Sequence, residues 1–459
     1  MGPKVQTTGY AAYVRSLTQL VGDAAADRWS RIEGDIDHAL NGEAAAAVRR
    51  LVDRPTRRAI GSFFTSGPVR AEFTDLLGQD LDNSGGPAGG YLDPACGAGD
   101  LLLSAAVRLP LAGSPPQTLR RWSTKLAGTD LQEPFVEAAR LRLLLLVLRR
   151  HHDAGTPGRL TAAQTERAFP GLRQQDGLAA LSELGQARQA RRPLPHILLN
   201  PPFGPAPAPA DCTWSTGKTS LAALFTAAAA EALPRGGRMT AILPDVLRSG
   251  SRYRAWRDRL AALMSVHEVR PHGQFDEHTD IDVFLLTGTR QAPARTAPPP
   301  PWTGPDNPVG HLTTIGDRFD VSVGPVVDFR DPHEGPRVPY LTARHIPAGD
   351  AMGLPANTRR YKGRLLTPPF VVMRRTSRPG QGVAGQPRSA GVLVLGDEPL
   401  AVDNHLITLA PKRRSGTGLR QSQRLLRVLG SPTTADWLDE RIRCRHLTVT
   451  AVRGIPWLN

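Results

Sequence analysis

The chain is poor in cysteine, in long apolar runs and in acidic residues, and each shortage narrows what it can be. Three cysteines, Cys96, Cys212 and Cys444, are scattered over 459 residues with no Cys-x-x-Cys pair. That argues against a disulfide framework and against a structural zinc site. No apolar run approaches the ~20 residues a membrane span needs. The leucine-rich Leu143–Leu148 is short and sits among arginines. The first residues lack the apolar core of a secretory signal, so a cytoplasmic protein without membrane attachment is expected. Carboxylates are the minority charge, 42 Asp and Glu against 57 Lys and Arg, for a net charge of +15. This excludes an acidic-surface protein and suits a polyanionic partner. No internal repeat is visible, and the length accommodates two or three domains with cores of their own.

Residues 1–60 hold two Ala-rich helical patterns, Ala11–Ala26 and Gly42–Val52, and read as a helical N-terminal region that carries no chemistry. In Gly61–Phe73, Thr65 or Ser66 is placed to cap a helix with Pro68 in its first turn. Gly90–Ser104 reads as a strand, a tight Gly97-Ala-Gly99 turn and a helix, an arrangement that lets a ligand approach the backbone closely. The third glycine of a dinucleotide fingerprint is missing, since position 102 is Leu102. With no pyrophosphate to cradle, an adenosine bearing a sulfonium amino acid fits better than a dinucleotide. Asp93 and Asp100 suit a ligand with positive charge. A second strand, Leu126–Leu131, carries Asp130, whose carboxylate suits the two hydroxyls of a ribose. A long Leu/Arg helix over Pro134–His151 leads to a weaker strand near Asp176. That residue is either an acceptor for an adenine amino group or an ordinary loop aspartate.

His196–Gly204 concentrates the chemistry. Ile197–Leu199 is a buried strand that Pro201 and Pro202 end abruptly, because neither can donate to a ladder. An amide (Asn200), proline-held carbonyls and an aromatic face (Phe203) then meet at one strand end. Asn200 and the Pro201 carbonyl can accept both N–H bonds of an amino group on a flat heterocycle, leaving the nitrogen lone pair directed elsewhere, while Phe203 stacks on the ring. Beyond it, Ser220–Leu233 is helical, Gly236–Pro244 a glycine turn into a strand, and Tyr253–Met264 helical. Ser265–Val269 and Val283–Thr287 are expected as final strands, an antiparallel pair at one edge, with His272–Asp276 between them. A Pro-rich stretch, 291–310, is a linker. It separates a domain over 61–290 from one over 311–459, where short β-like runs are dense in arginine. Arg374, Arg375 and Arg378 follow the run Phe370–Met373 and are expected to stay exposed and face a polyanion.

Asp93-Pro-Ala-Cys-Gly-Ala-Gly99 and Asn200-Pro-Pro-Phe203, in that order after Gly61–Pro68, resemble the gamma-class S-adenosylmethionine-dependent adenine-N6 DNA methyltransferases, over roughly residues 55–459. Gly237–Gly250 is similar to the strand after the catalytic one in type I modification subunits. Arg337–Ile346 and His446–Pro456 resemble the recognition domains of type I specificity subunits and Taq-type methyltransferases. The resemblance implies a Rossmann-like class I methyltransferase α/β sheet, a helical N-terminal region and a C-terminal α+β target-recognition domain. It implies S-adenosylmethionine as cofactor and double-stranded DNA as substrate, within a restriction-modification or phage-defence system with a separate endonuclease or other subunits. By position, Thr65, Ala95, Gly97 and Gly99 would surround the methionine part of the cofactor, with Asp93 near its amino group. Asp130 would hold the ribose and Asp176 the cofactor adenine. Asn200, Pro201, Pro202 and Phe203 would hold a flipped adenine, with Phe275 a second aromatic against it. The chemistry needs no metal. Two alternatives stay open: a methyltransferase on RNA adenine or protein glutamine, and an idle DNA-binding subunit of a defence complex. No nuclease constellation of carboxylates and lysine is visible.

Overall fold

The computed structural model describes residues 8–60, 65, 67–79, 87–186, 195–290, 302, 313–347, 349–377, 387–412, 418–443 and 446–457. They fall into two compact units, 1–247 with 253–300, and 248–252 with 301–459. The 291–310 stretch lies outside the described residues except for Trp302.

The first unit is organised on a seven-stranded sheet: β1 (Tyr91–Asp93), β2 (Leu126–Asp130), β3 (Leu172–Gln174), β4 (His196–Leu199), β5 (Arg238–Pro244), β6 (Met264–Asp276) and β7 (Thr279–Arg290). Their spatial order is β3-β2-β1-β4-β5-β7-β6. The first five run parallel; β7 is antiparallel to β5 and β6. Helices Asp100–Ala106, Glu133–Asp153, Gly177–Gln186, Leu221–Ala232 and Arg254–Leu263 follow the parallel strands in turn. Such crossovers cover both faces, which is why all four residues of β4 are buried and its sequence does not alternate. The terminal pair is longer than expected. Register shifts between Val266 and Glu268 and between Pro271 and Gly273 let β6 continue. His272–Asp276 therefore belongs to a strand, where the sequence suggested a connection between strands.

The N-terminal helices share this core. Tyr13, Leu17, Val21 and Ala24 form the buried stripe of Ala11–Ala25, which packs on helix Glu133–Asp153. The spacing of four, four and three residues is a helical face seeking a partner, and the leucine-rich helix supplies it.

The second unit holds β8 (Phe319–Val323), β9 (Arg337–Leu341), β10 (Ala351–Met352), β11 (Thr358–Arg360), β12 (Phe370–Arg374), β13 (Gly391–Val394), β14 (Ala401–Val402) and β15 (Leu406–Pro411). They form a five-stranded sheet, β8-β15-β12-β13-β10, and a three-stranded one, β11-β9-β14. Val371, Met373, Ile407 and Leu409 of the larger sheet share a core with Leu425, Val428 and Leu429 of helix Gly418–Leu429 and with Leu438 of helix Pro432–Arg441. Mixed strands with helices set to one side make this unit α+β.

Candidate active site

Strand order reverses between β1 and β4, so the crevice outside their carboxyl ends is where the α/β architecture admits a ligand. Asp93 closes β1, Asp130 closes β2, and Asn200 directly follows β4. Between the first two lies the glycine turn, with positive φ at Gly97 (50°) and Gly99 (85°). A Cβ on Gly99 would also stand 3.0 Å from the Ala139 Cβ, so this position needs glycine twice over.

The two carboxylates hold the turn in shape. Asp93 Oδ1 accepts from Ala95 N at 3.0 Å, Asp130 Oδ2 from Gly97 N at 3.1 Å, and Asp130 Oδ1 from Gln132 N at 2.8 Å. Burial pushes the Asp93 carboxyl up to about 8, and the Asp130 and Asp100 charges push the same way, against the Ala95 N–H. Burial likewise raises Asp130 to about 6, opposed by the N–H groups of Gln132 and Gly97. Two carboxyls held above their ordinary range at adjacent strand ends suit a cationic ligand, whose charge would offset the cost of ionising them.

Asp100 plays a different part from the one its sequence position suggested. Its carboxylate is buried and bonded to Arg142 Nη2 at 2.8 Å, so its charge is already matched. The fully buried Arg142 also donates to Ala98 O at 2.6 Å and Ala39 O at 2.8 Å. One guanidinium thus ties the glycine turn to the C-terminal carbonyls of helix Glu33–Leu40. An arginine inside the run Leu141–Leu148, on a helix apolar on nearly every side, was the signal that could have marked it. Arg142→Met should destabilise the protein by about 3–5 kcal/mol, because it strands a buried carboxylate. Chemical denaturation measures this, and adding Asp100→Asn should recover part of the loss. An unchanged unfolding midpoint for the single variant would contradict the assigned network.

Asn200 is brought to Thr65, a residue 135 positions away, with its Nδ2 donating to Thr65 Oγ1 at 3.0 Å. That bond turns the amide oxygen to the other side of the group. Pro201 is buried, while Pro202 and Phe203 are half-buried. The Phe203 ring meets Phe275 edge to face, centroids 5.8 Å apart and planes at 88°. Phe275 comes from the far end of β6, which the His272 Nδ1–Glu72 Oε1 interaction (2.9 Å) joins to helix Gly67–Gln79. Thr65, Asn200, Phe203 and Phe275 therefore converge from three distant stretches. His196 is not part of this chemistry. It is buried under the sheet with Nε2 2.8 Å from Thr240 Oγ1, and burial, aided by the Arg238 charge, drives its pKa down to about 3.

Asp176 lies two residues beyond β3 and is exposed; its Oδ1 accepts from Leu178 N at 2.8 Å and so caps helix Gly177–Gln186. In the second unit, Arg374 and Arg375 are half-buried rather than fully exposed. Arg374 Nη2 donates to Ile346 O (3.0 Å) and Arg375 Nη1 to Asn404 O (3.3 Å). Carbonyls of residues outside the strands thus absorb part of their donors. Arg378 and Cys444 lie outside the described residues.

A parallel sheet in the order 3-2-1-4-5, closed by an antiparallel 7-6 pair, is the Rossmann-like fold of class I S-adenosylmethionine-dependent methyltransferases. No protein-family model and no curated protein matches the sequence. Among solved structures, the type IIL restriction-modification enzyme MmeI in complex with DNA is similar at a TM-score of 0.54 and 12% identity, over 90% of this chain and 70% of that one. A modification subunit assigned to a type I restriction enzyme of Vibrio vulnificus YJ016 is 22% identical over 52% of this chain, with a TM-score of 0.37. The chain spans 47% of that subunit's length. The type IIG restriction endonuclease BpuSI aligns over 90% of this chain and 60% of its own, at 11% identity and a TM-score of 0.43. At these identities the likeness concerns the fold. Among the described residues, no helix is long and apolar enough to cross a membrane.

Proposed function

We propose that this protein transfers a methyl group from S-adenosylmethionine to the N6 amino group of an adenine extruded from duplex DNA, within a restriction-modification or phage-defence system. The observation that carries this reading is the meeting of the Thr65-bound Asn200 amide with the Phe203–Phe275 ring pair at the end of β4, beside the β1 strand end that carries Asp93. An amide acceptor set against an aromatic face at a topological switch point fits an amino group on a planar base. The MmeI likeness over 90% of this chain agrees with a substrate of DNA, as does the net charge of +15.

The raised carboxyls and the positive-φ glycine turn fit S-adenosylmethionine. Asp93 would meet its ammonium group, the Ala95–Gly99 turn its methionine part, Asp130 its ribose and Asp176 its adenine. When bound, this cofactor supplies an electrophilic methyl on sulfonium. Asn200 Oδ1 and the Pro201 carbonyl accept the two N–H bonds of the target amine, which biases its nitrogen toward a tetrahedral shape and frees the lone pair. Phe203 holds the ring plane, with its own edge-on orientation fixed by Phe275. Rate enhancement then comes from orientation and fixed dipoles, and the proton departs during or after transfer. The second unit, with its short strands and arginines, reads the target sequence.

Sequencing that detects modified bases, applied to DNA from cells expressing the protein, should show N6-methyladenine at one recurring sequence. DNA without modified adenine would defeat the proposal. Phe203→Ala should cost roughly 1–3 kcal/mol of base stacking, and Phe203→Tyr should keep most activity, since any flat π-face serves. Fluorescence of 2-aminopurine at the target position reads this directly: it brightens on extrusion, and less so with Phe203→Ala.

A further inference from the structure

The smaller sheet of the second unit carries a charge arrangement that the fold does not explain. Arg337 of β9 and Arg360 of β11 are direct cross-strand partners, and both are exposed. The backbone bonds Tyr361 N to Pro336 O and Tyr340 N to Asn357 O flank them, so the pair occupies a position without ladder hydrogen bonds. Side chains come closest at such positions, with Cα atoms about 4.5 Å apart. Like charges placed there repel and weaken the sheet.

The nearby carboxylates do not relieve this repulsion. Asp328 is paired with Arg359, Asp331 with Arg330 at 3.1 Å, and Glu334 with Lys362 at 2.6 Å. Neither Arg337 nor Arg360 has an acidic partner among the described residues. Among the described residues, each bonds through its Nε alone, Arg337 toward Thr358 Oγ1 at 2.8 Å and Arg360 toward Gly335 O at 3.0 Å. Those bonds fix the planes of the guanidinium groups. Together with His333, Gly335, Pro336, Thr358 and Arg359, the two arginines line a cleft of about 670 Å³ that contains no acid.

We propose that this cleft binds the phosphodiester backbone of duplex DNA, with a phosphate held between Arg337 and Arg360. A phosphate oxygen pair matches the terminal fork of a guanidinium, and an anion between the two arginines converts their repulsion into a clamp. The clamp positions the second unit on the duplex and reads no base. It deepens the functional reading above and rests on it.

The test is fluorescence anisotropy of the full-length protein with a labelled duplex over a range of salt concentrations. Arg337→Ala with Arg360→Ala should weaken binding about tenfold or more. It should also reduce the slope of log K against log salt by about 0.9, the share of the one phosphate that is no longer neutralised. The double lysine variant should keep most of the slope, because a point charge suffices for counterion release. Circular dichroism and the thermal melt should be unchanged in both variants, which certifies the fold of the second unit, and S-adenosylmethionine binding by calorimetry should be unchanged, which certifies that of the first. If the double alanine variant fails this check, Arg337→Gln and Arg360→Gln are measured singly, each expected to weaken binding and to lower the slope by at most about 0.9, since the two hold one phosphate together. A wild-type slope and affinity in a folded variant would overturn the inference alone, leaving the arginines as guards of a sheet edge. Wild-type protein that binds no duplex would defeat both this inference and the methyltransferase reading.

Discussion

Asn200→Ala should reduce kcat for methyl transfer by about 10²–10³-fold, the scale of removing one preorganised polar group from a reacting centre, while cofactor and duplex affinity change little. In the proposed reaction the amide acts only on the amino group being methylated, and its loss would remove the acceptor that turns the lone pair toward the incoming methyl. The Thr65 hydroxyl sharpens this expectation. Because Asn200 Nδ2 donates to Thr65 Oγ1 at 3.0 Å, the hydroxyl decides which amide atom faces the crevice. Thr65→Ser keeps the hydroxyl and should keep most activity. Thr65→Val removes this acceptor from the amide, so kcat should fall with little change in the KM for S-adenosylmethionine. If Thr65→Val instead raises the cofactor KM at constant kcat, the residue serves the methionine part of the cofactor, as family resemblance implied. Wild-type methylation by Asn200→Ala would mean that Asn200-Pro-Pro-Phe203 is only a strand terminus.

Cofactor affinity should rise with pH, on the order of tenfold between pH 6.5 and 8.5, because the Asp93 carboxyl at about 8 must ionise to meet a cationic ligand. The groups around it are Asp130, itself raised to about 6, the thiol of Cys96, pushed up by burial, and Asp100, already paired with Arg142. Of these, Asp93 is the one that titrates nearest to pH 8. Stability of the ligand-free protein should move the opposite way. A carboxyl raised in the folded state binds more protons there than in the unfolded chain, from the ordinary carboxylate range up to about 8. Stability therefore falls as pH rises through that window, by about 2 kcal/mol between pH 6 and 8. Asp93→Asn should abolish both trends, melt higher than the parent above pH 8, and bind S-adenosylmethionine far more weakly at every pH. Calorimetry and thermal melts at pH 6.5, 7.5 and 8.5 measure both arms. A pH-independent affinity would remove Asp93 from the cofactor site.

Much of the architecture was legible because periodic signals are local. Short apolar runs ending in Asp93, Asp130 and Asn200, each followed by a helical pattern, prescribe parallel strands with crossovers, and the sheet has that form. The edge pair was legible in kind but not in extent. Pro271 and Gly273 look like strand breakers, yet register shifts absorb them and carry Phe275 into β6.

What local pattern could not supply was the pairing of charges and amides across the fold. Asp100 reads as a ligand group until Arg142, 42 residues later, is seen to neutralise it. Thr65 reads as a helix cap until it is found against Asn200. Arg374 and Arg375 read as fully exposed, whereas one donor of each reaches Ile346 O or Asn404 O; Arg337 and Arg360, 23 positions apart in the chain, stand opposite each other across two strands. Amino-acid order decides which residues seek the core and where strands and helices begin, since burial and backbone preference act over a few neighbours. Which carboxylate keeps an unmet charge depends on distances between elements far apart in sequence, and those exist only once the chain has packed.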